Sequence, residues 1–113
     1  MLIYKICHRN EWAQAQRQGV YAGSAKDRED GFIHFSKAGQ VAQTLARYYD
    51  GESNLVLLAA DANRLAYNLK FEPSRGGELF PHFYGTLPLS SVTWVKPIGV
   101  KLDGSFILPE ECV

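Results

Sequence analysis

Gly31-Phe32-Ile33-His34-Phe35-Ser36 is a strand-like run of bulky residues that contains one ionisable imidazole. In a pleated strand His34 shares a face with Phe32, while Ile33 and Phe35 point to the opposite face. Burying an imidazole is costly unless a hydrogen-bond partner satisfies it. His34 is therefore either a structurally satisfied residue of a sheet or part of a functional site, and both interpretations stay open at this level.

The best helix of the chain follows this strand directly. Ser36 is placed to cap a helix that begins at Lys37, and Asp50-Gly51 closes it. Its apolar residues recur at the spacing of an amphipathic helix, namely Ala38, Val41, Ala42, Leu45 and Tyr48 or Tyr49. The continuous apolar run over residues 54–60 then predicts a central strand that is covered on both faces.

The segment before this unit predicts one strand and one helix. Residues 2–7 alternate bulky side chains and read as the first strand. Asn10 can cap a helix that runs to about Gln18, with Gly19 as its stop. Residues 20–30 are small, polar and charged, and we interpret them as a loop.

The C-terminal half predicts further strands separated by turns. Residues 67–72 form one strand, and the Pro-Ser-Arg-Gly-Gly segment over 73–77 predicts irregular structure. Strands over 92–95 and 98–102 are interrupted or bent at Pro97. Asp103-Gly104 is a strong hairpin signal that returns the chain through residues 106–108.

Length and element order predict the fold class. A chain of 113 residues has the size of a single domain. Strands outnumber helices and are not separated by regular helical crossovers. We therefore expect an α+β domain with a mostly antiparallel, bent or split sheet, one dominant helix and a shorter N-terminal helix.

The charge composition favours a small ligand over a polyanion. Twelve Lys and Arg balance twelve Asp and Glu, so no long-range field draws the protein towards nucleic acid or an anionic membrane. No secretory signal and no segment of membrane-spanning length is present. The expectation is a cytoplasmic protein whose partner is a small molecule or a nucleotide.

Cysteine and histidine spacing argues against a dedicated metal site. Cys7 and Cys112 lie near opposite ends of the chain and lack the paired spacing of zinc or redox motifs. We expect two free thiols.

Two other catalytic motifs are absent from the sequence. The Gly76-Gly77 pair lacks the Lys-Ser or Lys-Thr of a phosphate-binding P-loop, and Ser24 does not form a nucleophile elbow.

A second candidate site runs from Arg75-Gly76-Gly77-Glu78 into Pro81-His82-Phe83-Tyr84-Gly85. Adjacent glycines let the backbone approach a ligand closely, and Arg75 offers a bidentate fork for phosphate. Glu78 and His82 can exchange protons. The alternative is a glycine-rich turn with a solvated ion pair next to an aromatic strip of the core.

These motifs, in this order, resemble the bacterial domain-of-unknown-function 952 family over almost the whole chain. The resemblance rests on Gly-Phe-Ile-His at 31–34 and Glu-Leu-Phe-Pro-His-Phe-Tyr-Gly at 78–85, with supporting matches at 3–6, 11–12 and 55–58. The family is grouped by remote similarity with the ADP-ribosyltransferase fold, near the NAD-dependent RNA 2′-phosphotransferases. That grouping implies a split antiparallel sheet whose cleft holds NAD.

The resemblance also implies roles for individual residues. His34, Glu78 and His82 would be catalytic: His34 orients the ribose or nicotinamide, Glu78 stabilises the positive charge that builds up on the ribose, and His82 prepares an acceptor. The residues that would bind NAD are Lys5, Ser36, Arg75 and Tyr84. Among them Arg75 grips a phosphate and Tyr84 stacks on a ring.

One position departs from the family pattern. Members commonly have Tyr-His on the first strand, whereas this chain has Tyr4-Lys5, and a lysine cannot accept a hydrogen bond as an imidazole does. Three functions therefore stay open. They are an NAD-dependent transferase, a non-catalytic binding module for NAD, ADP-ribose or another phosphorylated ligand, and a protein whose two histidine motifs serve only packing.

Overall fold

A computed structural model describes all 113 residues. The strands are β1 Leu2–His8, β2 Val20–Tyr21, β3 Ile33–His34, β4 Leu55–Asp61, β5 Leu69–Pro73, β6 Leu79–Phe83, β7 Leu87–Pro88, β8 Val92–Val100 and β9 Phe106–Ile107. The α-helices are α1 Arg9–Gln18, α2 Ala25–Asp30 and α3 Val41–Tyr48. None of these helices is long and apolar enough to cross a membrane.

The strands form three sheets, and every strand pairing is antiparallel. The main sheet has the order β1-β4-β8-β9, a second sheet has the order β3-β6-β5, and β2 pairs with β7. The first two sheets meet at a bridge in which Tyr4 and Ser36 exchange backbone hydrogen bonds of 2.8 Å. The predicted α+β class and the split antiparallel arrangement are confirmed.

β4 is the buried centre of the main sheet, as its apolar run predicted. Leu55, Leu57 and Ala59 pack in one core cluster, which also receives Val41 and Leu45 from α3. The alternate residues Val56, Leu58 and Ala60 pack on the opposite face with α1 and the second sheet. Burial of each leucine or valine side chain contributes about 1.5–3 kcal/mol to the free energy of folding, so both faces of β4 stabilise the fold.

α2 is the clearest correction to the sequence analysis, which interpreted residues 20–30 as a loop. The Ser24 hydroxyl accepts a hydrogen bond from the Asp27 backbone N–H, and the Asp27 carboxylate accepts one from the Ser24 N–H. This reciprocal capping box starts a helix of Ala25–Asp30. The helix carries almost no apolar side chains, so hydrophobic periodicity could not reveal it.

Ser36 is not the cap of the dominant helix, contrary to the prediction. Its backbone is used by the bridge to Tyr4. The side chain of Gln40 accepts from the Lys37 N–H instead, and a single 3₁₀ turn over Ala38–Gln40 precedes α3. The Ser36 side chain is therefore free to face a cleft rather than a helix terminus.

Smaller corrections concern strand bounds and turns. α1 begins at Arg9 because Glu11 accepts from the His8 N–H, so Asn10 lies inside the helix. β8 runs unbroken through Pro97, which is tolerated because β9 pairs only with Gly99 and Val100, leaving β8 an open edge at the proline. The Asp103-Gly104 hairpin is confirmed, with β9 paired to the end of β8.

The predicted free thiols are confirmed, because Cys7 and Cys112 are both unpaired and buried. Burial raises the pKa of the Cys7 thiol to about 12, so it stays protonated at neutral pH. Both cysteines lie within core clusters and act as small apolar side chains. The cytoplasmic location stays a prediction.

Candidate functional site

A cleft of about 610 Å³ lies beside the bridge that joins the two sheets. Five of the seven residues singled out in the sequence line it, namely Lys5, His34, Ser36, Arg75 and His82. β3 and β6 bring the two histidines together, because His34 pairs directly with His82 across the strands and their ring centroids are 5.6 Å apart. The histidine motifs therefore share one site.

Asp27 is the buried anion of this cleft, and Lys5 is its partner. Lys5 lies on the core-facing side of β1, and its Nζ is 2.7 and 3.0 Å from the two Asp27 carboxylate oxygens. Both side chains are almost completely buried, with 4% and 2% of their surfaces exposed. Neither charge could stay in this position alone, because an unpaired ion in the interior costs several kcal/mol.

The Asp27 carboxylate also organises His34. One oxygen accepts hydrogen bonds from the His34 backbone N–H at 3.1 Å and from the ring Nδ1 at 2.5 Å. Burial alone would raise the pKa of Asp27, but the hydrogen bonds from His34 and the charge of Lys5 outweigh it and hold the pKa below its usual range. Asp27 is therefore an acceptor that fixes the orientation of His34.

The second nitrogen of His34 faces another carboxylate. Its Nε2 lies 2.9 Å from Asp30 Oδ2, and the Asp30 side chain keeps 28% of its surface exposed. A ligand group that approached Nε2 of His34 would therefore compete with the carboxylate of Asp30.

His82 is held by Glu72, which lies on the neighbouring strand β5. The Nδ1 of His82 is 2.8 Å from Glu72 Oε1, and the Tyr84 hydroxyl donates to the same oxygen at 2.6 Å. Hydrogen bonds from Tyr84 and then from His82 lower the pKa of Glu72. The Nε2 of His82 has no hydrogen-bond partner in the protein.

Phe32 packs against both histidines and completes an aromatic cluster. Its ring centroid is 4.0 Å from that of His82, 4.6 Å from that of His34 and 5.3 Å from that of Tyr84. The predicted common face of Phe32 and His34 is confirmed. Rings at these distances restrict one another, so the two imidazoles have fixed planes.

Arg75 supplies the cation of the cleft that no carboxylate neutralises. Its Nη2 donates to the Thr44 hydroxyl at 3.2 Å, while its Nε is buried without a partner. The guanidinium packs on the rings of Phe80 and Tyr48, with its Cζ 4.8 and 5.7 Å from their centroids. The Ser36 hydroxyl, 3.3 Å from that of Thr44, is buried next to this group.

Glu78 and Tyr84 do not line the cleft. Glu78 is exposed, and its only side-chain hydrogen bond is a long one of 3.4 Å from Gln40. Tyr84 holds Glu72 through its hydroxyl, and the Lys70 ammonium lies over its ring. The geometry therefore does not favour Glu78 as a carboxylate at the ribose or Tyr84 as a stacking surface for a ligand.

The carboxylates that do contact the two histidines are Asp27, Asp30 and Glu72, and sequence reasoning missed all three. For Asp27 a signal was available, because Ser24-x-x-Asp27 has the spacing of a capping box. For Glu72 the sequence contained no such signal. It lies on the strand next to that of His82, two positions from the residue directly opposite, so only the strand register reveals the contact. Asp30 contacts His34 only because α2 ends at Gly31 and turns back.

His8 also lines the cleft and forms a separate ion-pair cluster. Its Nε2 lies 2.5 Å from Glu52 and its Nδ1 lies 3.2 Å from Glu11. Partial burial lowers the pKa of His8, but the hydrogen bonds with Glu52 and Glu11 raise it more, so its pKa lies above the ordinary value. The pair of His8 and Glu52 links the start of α1 to the segment between α3 and β4.

We expect this link to weaken as the pH rises. A raised folded-state pKa means that the stabilisation is complete below the unfolded-state pKa of about 6.5 and is lost as the pH rises through the folded value. An NMR titration of the His8 ring should give a midpoint above that of an unstructured histidine, and Glu52→Gln should lower it. An unchanged midpoint in Glu52→Gln would show that the pair has no electrostatic effect.

No group of three or more His, Cys, Asp or Glu side chains is arranged to hold a metal ion. The groups suited to a ligand are the guanidinium of Arg75, the hydroxyls of Ser36 and Thr44, and the Nε2 of His82. A cation, two hydroxyls and an imidazole nitrogen can together bind an anion and form hydrogen bonds to polar groups next to it.

A family model described as protein of unknown function (DUF952) matches residues 6–95. The crystal structure of protein CC0527 from Caulobacter crescentus is 47% identical with a TM-score of 0.91, over 96% of this chain and 95% of that chain. A solution NMR structure of CC0527 is 48% identical with a TM-score of 0.82, over 91% of this chain and 89% of that chain. No curated protein matches this chain.

Proposed function

This chain belongs to the family described as protein of unknown function (DUF952), and we propose that its cleft binds NAD, ADP-ribose or another phosphorylated ligand. The observation that carries the proposal is the guanidinium of Arg75, which lines the cleft without a carboxylate partner. A cation in a cleft that the protein itself leaves unneutralised is suited to an anionic group of a ligand. The planar fork of arginine fits a phosphate in particular.

The other cations of the cleft support this choice of anchor. The ammonium of Lys5 is buried against Asp27, and Lys26 lies 3.4 Å from Asp30. Their charges are therefore already compensated within the protein, whereas that of Arg75 is not. Lys5, a predicted contact of the ligand, acts instead through Asp27 as part of the frame that holds His34.

The size of the cleft suits a nucleotide. Small-molecule sites span roughly 300–1,000 Å³, and this cleft has a volume of about 610 Å³. Tyr48 and Tyr49 line the cleft, next to Arg75 and His8 respectively, and offer rings on which a base can stack. Antiparallel sheets around such a cleft are also what the predicted similarity to the ADP-ribosyltransferase fold requires.

Cleavage of the nicotinamide–ribose bond is the second candidate function. The observation that favours it is the partly exposed carboxylate of Asp30, which lines the cleft beside the two histidines. When this bond breaks, its electron pair leaves with nicotinamide and positive charge builds up on the ribose, which a nearby carboxylate stabilises. In this proposal Asp30 takes the role that the family resemblance implied for Glu78, and the free Nε2 of His82 accepts the proton of an attacking hydroxyl or water.

Calorimetry with ADP-ribose and NAD tests the binding proposal, with adenosine as the matched ligand that lacks phosphate. We expect both phosphorylated ligands to bind and adenosine to bind at least about tenfold more weakly, because it cannot pair with Arg75. Equal affinities for adenosine and ADP-ribose, or no binding by either phosphorylated ligand, would contradict the proposal.

Nicotinamide release from NAD then separates the two candidate functions. A binding module gives heat with NAD but releases no nicotinamide. An enzyme releases nicotinamide, and Asp30→Asn should slow the release by roughly two orders of magnitude, which is a usual effect of losing one electrostatic stabiliser. Glu78→Gln is the control, and we expect it to retain the wild-type rate because Glu78 lies outside the cleft.

A further inference from the structure

His82 combines burial with one unsatisfied ring nitrogen. Only 6% of the residue is exposed, yet it lines the cleft. Its Nδ1 is bonded to Glu72, a residue outside the cleft lining, so Nε2 is the nitrogen available on the cleft side. This nitrogen has no hydrogen-bond partner in the protein, so it is free to bond a polar group of a ligand that enters the cleft.

Glu72 determines what kind of group that is. An ionised carboxylate can only accept hydrogen bonds, so the Nδ1 of His82 must be the donor. In the neutral imidazole the other nitrogen is then an acceptor with a lone pair. The packing of Phe32 against the ring, with centroids 4.0 Å apart, keeps this lone pair in one direction.

We propose that Glu72 positions His82 as the acceptor for a hydroxyl of the ligand, so that the cleft takes a hydroxylated phosphate such as a sugar phosphate or the ribose phosphate of a nucleotide. This inference rests on the proposed function, which supplies the phosphate contact at Arg75. Glu72 is a positioning residue that acts through His82. The Tyr84 hydroxyl, which donates to the same Glu72 oxygen, holds the carboxylate in place.

The tautomer of His82 can be measured without any ligand. Nitrogen NMR of the labelled protein should find the neutral His82 ring protonated at Nδ1. In Glu72→Gln the amide NH₂ can donate to Nδ1, so we expect the ring to shift towards protonation at Nε2. Tyr84→Phe is the control, because it removes a hydroxyl but keeps the carboxylate, and it should retain the Nδ1-protonated form. A wild-type ring protonated at Nε2 would overturn the positioning role.

A pair of matched phosphates tests the hydroxyl contact. In NMR titrations, glycerol 3-phosphate should bind about tenfold more tightly than n-propyl phosphate, which lacks hydroxyls, a difference equivalent to about 1.4 kcal/mol. In Glu72→Gln the difference should fall to ~2-fold, because Nε2 of the altered tautomer is a donor and a hydroxyl placed to donate to it must reorient to accept instead. The substitution is nearly isosteric and lies on a partly exposed strand, so we expect the variant to fold.

The outcomes separate this inference from the proposed function. Equal binding of the two phosphates to the wild-type protein overturns the hydroxyl contact and leaves phosphate binding intact. Absence of binding by both phosphates, together with ADP-ribose, overturns the proposed function and the hydroxyl contact with it. The tautomer measurement still decides whether Glu72 positions His82.

Discussion

Asp27→Asn should lower the free energy of unfolding by about 3–5 kcal/mol, the usual cost of removing one partner from a buried ion pair. The substitution leaves the ammonium of Lys5 in a site where only 4% of its side chain is exposed. Lys5 lies within β1 between Ile3 and Cys7 on the core-facing side, so its ammonium stays almost completely buried next to position 27. Chemical denaturation of the wild type and the variant measures the loss.

A surface ion pair provides the matched control for Asp27→Asn. Lys96 and Glu111 are also bonded to each other, but 42% and 36% of their side chains are exposed. Glu111→Gln should therefore cost less than about 1 kcal/mol. Adding Lys5→Met to Asp27→Asn should restore part of the lost stability, because no buried charge is then left without a partner. Equal losses for Asp27→Asn and Glu111→Gln would show that burial of the pair is unimportant.

Arg75→Gln should weaken ADP-ribose binding by about 30- to 150-fold, the equivalent of about 2–3 kcal/mol for the loss of charge-assisted hydrogen bonds to a phosphate. Arg75→Lys should lose less, because it keeps the charge but not the bidentate fork. Calorimetry measures the affinities, and thermal unfolding verifies that each variant is folded.

Arg47 offers the control for nonspecific attraction. It carries the same charge and lies over the same Tyr48 ring at 5.9 Å, but it does not line the cleft. Arg47→Gln should therefore bind ADP-ribose as the wild type does. If Arg47→Gln loses as much affinity as Arg75→Gln, the general charge of this face, rather than the cleft, attracts the ligand.

Sequence patterns predicted the fold where one physical preference dominated locally. The apolar run of β4 predicted a buried central strand, and Asp103-Gly104 suits the tight turn between β8 and β9. α2 was not predicted, because this helix depends on a capping box and on the burial of Asp27 rather than on an apolar stripe. The prediction that Ser36 caps the dominant helix was also wrong, because its backbone forms a long-range bridge to Tyr4 instead.

The candidate site likewise contains residues that the sequence predicted and residues that it did not. His34, His82 and Arg75 were identifiable from the sequence. A histidine within an apolar strand is costly to bury without a partner, and an arginine in a glycine-rich loop is often functional. Their carboxylate partners were not identifiable, because acidic residues are common on surfaces and only position makes them exceptional. Glu78 shows the difference, since it lies close to His82 in sequence but outside the cleft.

The sequence by itself determined the α+β class, the buried central strand and the two histidine motifs, because hydrophobic periodicity and turn chemistry act over a few neighbouring residues. Only the tertiary structure decided which acids face those histidines and which cation stays unneutralised. Lys5 and Asp27 are 22 positions apart, and Glu72 and His82 are 10 apart. Such contacts are set by strand register and helix placement, so their electrostatics exist only in the folded chain.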